Sequence, residues 1–105
     1  MLSDHNSEPV LVQIDASFEP LIPPFMANRN REVGTMTEAL AQADYETVRK
    51  LAHGIKGAGG SYGFDEMSAI AAGLEQAAKA ADPAGMQYHL RLLASYLERV
   101  RVVYE

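Results

Sequence analysis

The sequence contains no cysteine, so it can form neither a disulfide framework nor a metal site built on thiolates. Aromatic residues make up only 8% of the chain while alanine is abundant, a mixture that favours closely packed helices over a β-sandwich. No apolar run approaches the roughly 20 residues that a membrane span requires, and no positively charged segment followed by an apolar core marks a secretion signal. We therefore expect a soluble, cytoplasmic protein without a membrane-bound part.

Excess positive charge is also absent. The net charge of −5 argues against general nucleic-acid binding. Against this background, Arg49, Lys50 and Lys56 stand out as a local cluster of positive charge. Because salt screens charges beyond about 8 Å, the electrostatic energy of a group bound beside this cluster depends mainly on these three positive charges and little on the net charge of the chain.

Helical spacing dominates the chain from residue 24 onwards, and no segment carries a strand signal. At 105 residues the chain is long enough for one domain with a modest core. Four amphipathic segments with short connections predict an all-α protein, an antiparallel four-helix bundle. The segments begin at Pro24, after the cap Asp44, at Asp65 and after the cap Asp82, and the apolar seam of the last one reaches Tyr104.

The N-terminal part is predicted to be an addition to this bundle. We expect a tail or linker over residues 1–16, which docks through its apolar run at residues 10–12, and a bundle domain over residues 17–105. Ser17 is a candidate N-cap for a short additional helix or arm. The two adjacent prolines that follow remove backbone donors, so the chain is expected to bend or restart there.

The last helix carries apolar residues beside its main seam and a histidine at its edge. Leu92, Tyr96 and Val103 either pack internally or pair with a second copy of the chain. We expect a monomer, because four amphipathic helices can cover one another. His89 is expected to be a packed or hydrogen-bonded boundary residue rather than a ligand.

The stretch from Val48 to Phe64 begins as an amphipathic helix and becomes rich in glycine. On a helical wheel its buried stripe centres on Ile55, and His53 lies about 160° away. Gly63 is a candidate for the left-handed residue that ends the helix. The stretch therefore predicts a helix that buries one side and presents an imidazole on the other.

Nucleotide and metal chemistry are not supported by this stretch. Its glycines match neither phosphate-loop pattern and no strand precedes them, which argues against an ATP site and an intrinsic kinase activity. No two histidines have the i, i+4 spacing of a metal site, so no metal is expected. General acid–base catalysis would need a carboxylate partner, and only Glu46, two turns before His53 on the same face, is available.

Nucleophilic chemistry by His53 remains. A neutral imidazole can attack phosphorus and hold the phosphoryl group as a covalent intermediate. Lys56, one turn later, offers a cation for the phosphoryl oxygens, and the neighbouring glycines leave space for the backbone of a partner. The residues predicted to contact this partner are Arg49, Lys50, Gly57 and Gly60.

The run from Ala52 to Gly63 resembles the signature of the histidine-containing phosphotransfer (HPt) domains of bacterial phosphorelays, and the following helix is similar to that of the family as well. Gly54 is a mild departure, since a small polar or bulkier residue is common after the histidine. The resemblance is specific at four residues, which are His53, Lys56, Gly57 and Gly63.

This resemblance implies that His53 accepts the phosphoryl group, that Lys56 stabilises it and that Gly57 admits a receiver domain. Gly63 would be the turn glycine between the second and third helices. The donor and acceptor aspartates would lie on receiver domains of response regulators or hybrid histidine kinases. The Mg²⁺ would belong to those receivers, so the chain is expected to be a phosphocarrier without a cofactor or an ATP site of its own.

Two alternatives stay open at this point. A helical bundle of this kind could bind and sequester a receiver or kinase domain without carrying phosphate, although such a binder has no chemical need for His53. The chain could also be an enzyme with His53 as its base, although it lacks an evident pocket. The variant His53→Gln separates these classes, because binding survives it and phosphotransfer does not. The chain is either free-standing or part of a larger hybrid kinase.

Overall fold

The computed structural model describes residues 8–105, so the first part of the predicted tail lies outside the described residues. Consecutive helices are joined by short loops, and each helix packs against two neighbours, so that the four close into a bundle. This confirms the predicted antiparallel four-helix bundle. None of the helices within residues 8–105 is long and apolar enough to cross a membrane. The helices are α1 (Ile22–Ala41), α2 (Tyr45–Tyr62), α3 (Asp65–Lys79) and α4 (Pro83–Arg99).

The helix ends follow the local signals of the sequence. The carboxylate of Asp44 accepts a hydrogen bond from the backbone N–H of Thr47 at 3.2 Å, and Asp82 caps α4 in the same way. Gly63 follows α2 with a φ of 96°, the left-handed conformation expected for it. Helix α1 begins at Ile22 rather than at Pro24, because prolines in a first turn lack an N–H that would be unpaired there anyway.

The expectation that the chain contains no strand is wrong. The last helix ends at Arg99, and Val100–Tyr104 forms strand β2, which pairs in parallel with strand β1 (Val10–Ile14). The run Val-Arg-Val-Val-Tyr is rich in β-branched and aromatic residues, which favour a strand once a partner strand is present. Alternate residues of β2 still face the core, so the apolar pattern that looked like a continuing helical seam has period two there.

The additional apolar residues of α4 and β2 do not share one environment. Tyr96 is fully buried in the core, whereas Leu92 and Val103 are exposed. Nδ1 of His89 lies 2.9 Å from the carbonyl oxygen of Gly85, and its ring packs against Gly73 of α3. His89 is therefore the hydrogen-bonded boundary residue that its position predicted.

The N-terminal arm consists of β1 and a short 3-10 helix, Ala16–Leu21. Asp15 caps this helix by accepting a hydrogen bond from the N–H of Ser17 at 2.8 Å, so the predicted cap at Ser17 is wrong by two residues. The backbone N–H of Glu105 donates a hydrogen bond to the carbonyl oxygen of Ile14, and the N–H of Ala16 donates one to the carbonyl oxygen of Glu105. The side chain of Ile14 is buried. The predicted tail thus includes a strand that packs with the bundle, while a domain boundary at residue 16 stays a prediction.

Close packing fixes the position of α2 relative to α3. A Cβ atom at Gly59 would lie 3.3 Å from the carbonyl oxygen of Phe64 and 3.4 Å from the backbone nitrogen of Ser68. The hydroxyl of Ser68 also donates a hydrogen bond to the carbonyl oxygen of Lys56 at 2.7 Å. Side chains on the outer faces of α2 and α3 can therefore meet across a narrow interface.

Candidate functional site

His53 lies in the middle of α2 on the face that points away from the core. Its side chain is 65% exposed, while Ala52 and Ile55 on either side of it are buried. The helix is anchored along its buried stripe, so the imidazole is presented from a rigid element. This agrees with the wheel that places His53 opposite Ile55.

A carboxylate from the next helix holds the imidazole. Oε2 of Glu75, on α3, lies 3.0 Å from Nδ1 of His53. The side chain of Glu75 is only 3% exposed, and Glu75 is the one buried charged residue within the described part of the chain. Two lysines surround it, with Nζ of Lys56 at 2.8 Å from Oε1 and Nζ of Lys79 at 3.7 Å from Oε2.

These neighbours keep Glu75 ionised. Lys56, whose Nζ lies 2.8 Å from Oε1, is the largest cause that lowers the pKa of Glu75 from 4.5 to about 2. His53 and Lys79 contribute less, and the three groups together outweigh the opposing effect of burial. An ionised carboxylate has no proton to donate. Nδ1 of His53 is therefore the donor of their hydrogen bond, and Nε2 is left without a hydrogen-bond partner among residues 8–105.

Space next to His53 is open at two glycines. A Cβ atom at Gly54 or Gly57 would have no neighbouring heavy atom within 4 Å, so both positions expose bare helix backbone. Gly60 differs, because its Cβ would contact the hydroxyl oxygen of Ser68 at 3.7 Å. Gly60 thus lies at the edge of the α2–α3 contact.

The basic residues before His53 are arranged differently from Lys56. Arg49 donates a hydrogen bond to Glu46 at 2.9 Å, and Lys50 is exposed on the same helix. The expectation that Glu46 is the carboxylate available to His53 is wrong, because Glu46 is paired with Arg49 and Glu75 takes that place. The structure brings His53 and Lys56 together around Glu75 and leaves Arg49 outside this cluster.

Sequence reasoning missed the roles of Glu75 and Lys79. A signal was present, because Glu75 lies four residues after Ala71 and eight after Met67, both buried on α3. A charged residue on an apolar helical face calls for a partner. The identity of that partner follows from the packing of α2 against α3, which the periodicity of α3 does not show.

No group of three or more His, Cys, Asp or Glu side chains within the described range is arranged to hold a metal ion. The cluster around Glu75 consists of one carboxylate, one imidazole and two ammonium groups, which repel a cation rather than bind it. That the chain works without a cofactor of its own stays a prediction.

Comparison with protein-family models gives a match to the Hpt domain over residues 25–102, which is most of the chain. The protein therefore belongs to the Hpt domain family, the phosphotransfer modules of two-component signalling. Members of this family interact with receiver domains and are phosphocarriers rather than enzymes with an ATP site. Comparisons with curated proteins and with solved structures gave no match.

Proposed function

We propose that this protein carries a phosphoryl group on His53 between aspartates of receiver domains. The observation that carries the proposal is the contact between the exposed imidazole of His53 and the buried, ionised carboxylate of Glu75. A hydrogen bond at Nδ1 fixes the ring and its tautomer, so the lone pair of the neutral ring lies on Nε2. Glu75 is thus a positioning residue for a nucleophile that faces solvent.

The transfer step follows from this arrangement. Nε2 of His53 attacks the phosphorus of an aspartyl phosphate on a receiver, the N–P bond forms and the P–O bond to the aspartate breaks. The bonding electrons leave with the aspartate carboxylate. The proton stays on Nδ1, where Glu75 stabilises the positive charge that develops on the ring, as a carboxylate does behind other catalytic histidines. The reverse step delivers the group to a second receiver.

Charge and space around His53 support the approach of such a partner. A phosphoryl group brings a charge of about −1.5 to −2 at neutral pH, and Lys56 provides a cation beside it. The bare backbone at Gly57 allows a receiver to approach the ring closely. We propose Arg49, Lys50 and Gly60 as further contacts of the receiver, which supplies the Mg²⁺.

The proposal includes a monomeric state in the cytoplasm. Each of the four helices is covered by two neighbours of the same chain, so the bundle needs no second copy to close its core. Light scattering of the purified protein tests the monomer, and a mass of two chains at micromolar concentration would contradict it.

The test of function is phosphotransfer from phosphorylated receiver domains to the wild type, to His53→Gln and to the control His89→Gln. We expect an acid-labile, alkali-stable phosphate on the wild type and on His89→Gln, and none on His53→Gln. A phosphate that persists on His53→Gln would place the chemistry on another residue. Binding to a receiver without transfer would favour the sequestering bundle instead.

A further inference from the structure

We propose that Lys79 is a second phosphoryl-binding residue of this site, and that it turns from Glu75 to the phosphoryl oxygens when His53 is phosphorylated. The inference rests on the proposed function of His53. It assigns different tasks to two lysines that share one carboxylate.

Lys79 lies on α3, the helix that packs against α2, and contacts Glu75, the carboxylate partner of His53. It lies one turn after Glu75 on α3, and its Nζ is 3.7 Å from Oε2. The same oxygen lies 3.0 Å from Nδ1 of His53. The ammonium group of Lys79 and the ring of His53 are thus neighbours across a single carboxylate oxygen, and Lys56 approaches the other oxygen from α2.

The distances indicate which lysine is free to leave Glu75. Nζ of Lys56 lies 2.8 Å from Oε1, within hydrogen-bond distance, whereas the 3.7 Å between Lys79 and Oε2 exceeds it. Lys79 is also the more exposed of the two, at 49% against 39% for Lys56. Lys79 therefore loses less when it turns away.

The burial of Glu75 requires that one lysine stays. Removing the partner of a buried charge leaves that charge uncompensated, which is strongly destabilising. If both lysines turned to a phosphoryl group, Glu75 would keep only His53. With Lys56 retained, Glu75 remains paired while the long, flexible side chain of Lys79 contacts the new anion.

Other cations near His53 are less suited to this task. Arg49 is already bound to Glu46 on α2. Lys50 is exposed on α2 and is one of the proposed contacts of the receiver. It would therefore contact the receiver rather than the phosphoryl group. Among the described residues, Lys79 is the cation of α3 that contacts the carboxylate oxygen shared with the imidazole.

The experiment phosphorylates the protein with phosphoramidate, so that no receiver is involved. Nε2 of His53 attacks phosphorus, the N–P bond of the donor breaks and ammonia leaves. The variants are Lys79→Gln, Lys79→Arg and Lys56→Gln, with Arg91→Gln on α4 as a control for the loss of one positive charge. The readouts are the pH dependence of the ³¹P chemical shift and the lifetime of the phosphorylated protein, with circular dichroism to verify the fold.

We expect Lys79→Gln to move the titration of the phosphoryl group upward by about 0.5 to 1 pH unit, because a nearby cation favours the dianion. Its phosphorylated form should also hydrolyse several-fold faster, while Lys79→Arg and Arg91→Gln behave like the wild type. A Lys79→Gln protein that titrates like the wild type would overturn the inference, whatever the effect of Lys56→Gln, because Lys56 is itself proposed to lie beside the phosphoryl group. Failure of the wild type to take up phosphate at His53 would instead reject the proposed function, and this inference with it.

Discussion

Oε2 of Glu75 lies 3.0 Å from Nδ1 of His53, across the contact between α2 and α3 and 22 residues away in the sequence. The carboxylate is buried and ionised, and the imidazole is exposed. The pair therefore joins a buried negative charge inside the bundle to an imidazole exposed on its surface.

Replacement of Glu75 should slow phosphotransfer without removing the acceptor. We expect Glu75→Ala to lower the rate of transfer from a phosphorylated receiver by about 10- to 100-fold, by analogy with the loss of a carboxylate that orients a metal-binding histidine. Glu75→Gln should retain more activity, because an amide oxygen still accepts the hydrogen bond from His53. The control is Glu38→Gln on α1, which removes an exposed carboxylate. Equal rates for all three variants would refute the positioning role.

The pH dependence of stability should report the same carboxylate. The pKa of Glu75 is lowered to about 2 in the folded protein, below its ordinary value of 4.5. The unfolded chain therefore binds the proton first as the pH falls, and the stabilisation is present above about pH 4.5 and lost towards pH 2. Urea denaturation measures the difference in unfolding free energy between the wild type and Glu75→Gln. This difference should be constant from pH 7 to 5, and at lower pH the wild type should lose stability relative to the variant. A difference that stays constant down to pH 2.5 would contradict the assignment.

Gly57→Ala should affect stability and function in opposite directions. A Cβ atom at Gly57 meets no neighbouring atom, so alanine should stabilise the helix by about 1 kcal/mol through its higher helix propensity. The same methyl group would obstruct a receiver, so transfer from a receiver should slow while labelling by phosphoramidate is unchanged. Gly34→Ala on α1 is the matched control, because its Cβ is equally unobstructed. If Gly57→Ala accepts phosphate from a receiver as fast as Gly34→Ala does, Gly57 does not admit the partner.

Strand β1 should contribute to the stability of the bundle. Ile14 is buried, and its Cδ1 lies 3.6 Å from the position that a Cβ of Gly63 would take. We expect Ile14→Ala to lower the free energy of unfolding by about 2 to 5 kcal/mol. On the same strand Leu11 is 71% exposed, so Leu11→Ala should change it by no more than about 0.5 kcal/mol. Chemical denaturation measures both, and equal effects would mean that β1 does not pack as described.

The sequence predicted those parts of the fold whose causes are local. The cap at Asp44, the left-handed Gly63 and the exposure of His53 each follow from residues within a few turns of one another. The contact between His53 and Glu75 depends on how two helices pack, and the periodicity of α3 alone names no partner. Strand β2 was not predicted for a similar reason. Its apolar residues also fit a helical seam, and only the pairing with the distant strand β1 shows that the segment is a strand.

The parallel pairing of β1 with β2 also sets an order of events during synthesis of the protein. Val10 pairs with Val100, and chains grow at about 5 to 20 residues per second, so β1 is made seconds before its partner exists. Contacts within and between consecutive helices are closer in sequence and form sooner. Pairing of the two strands is therefore among the last steps of folding, and it becomes possible only after all four helices have left the ribosome.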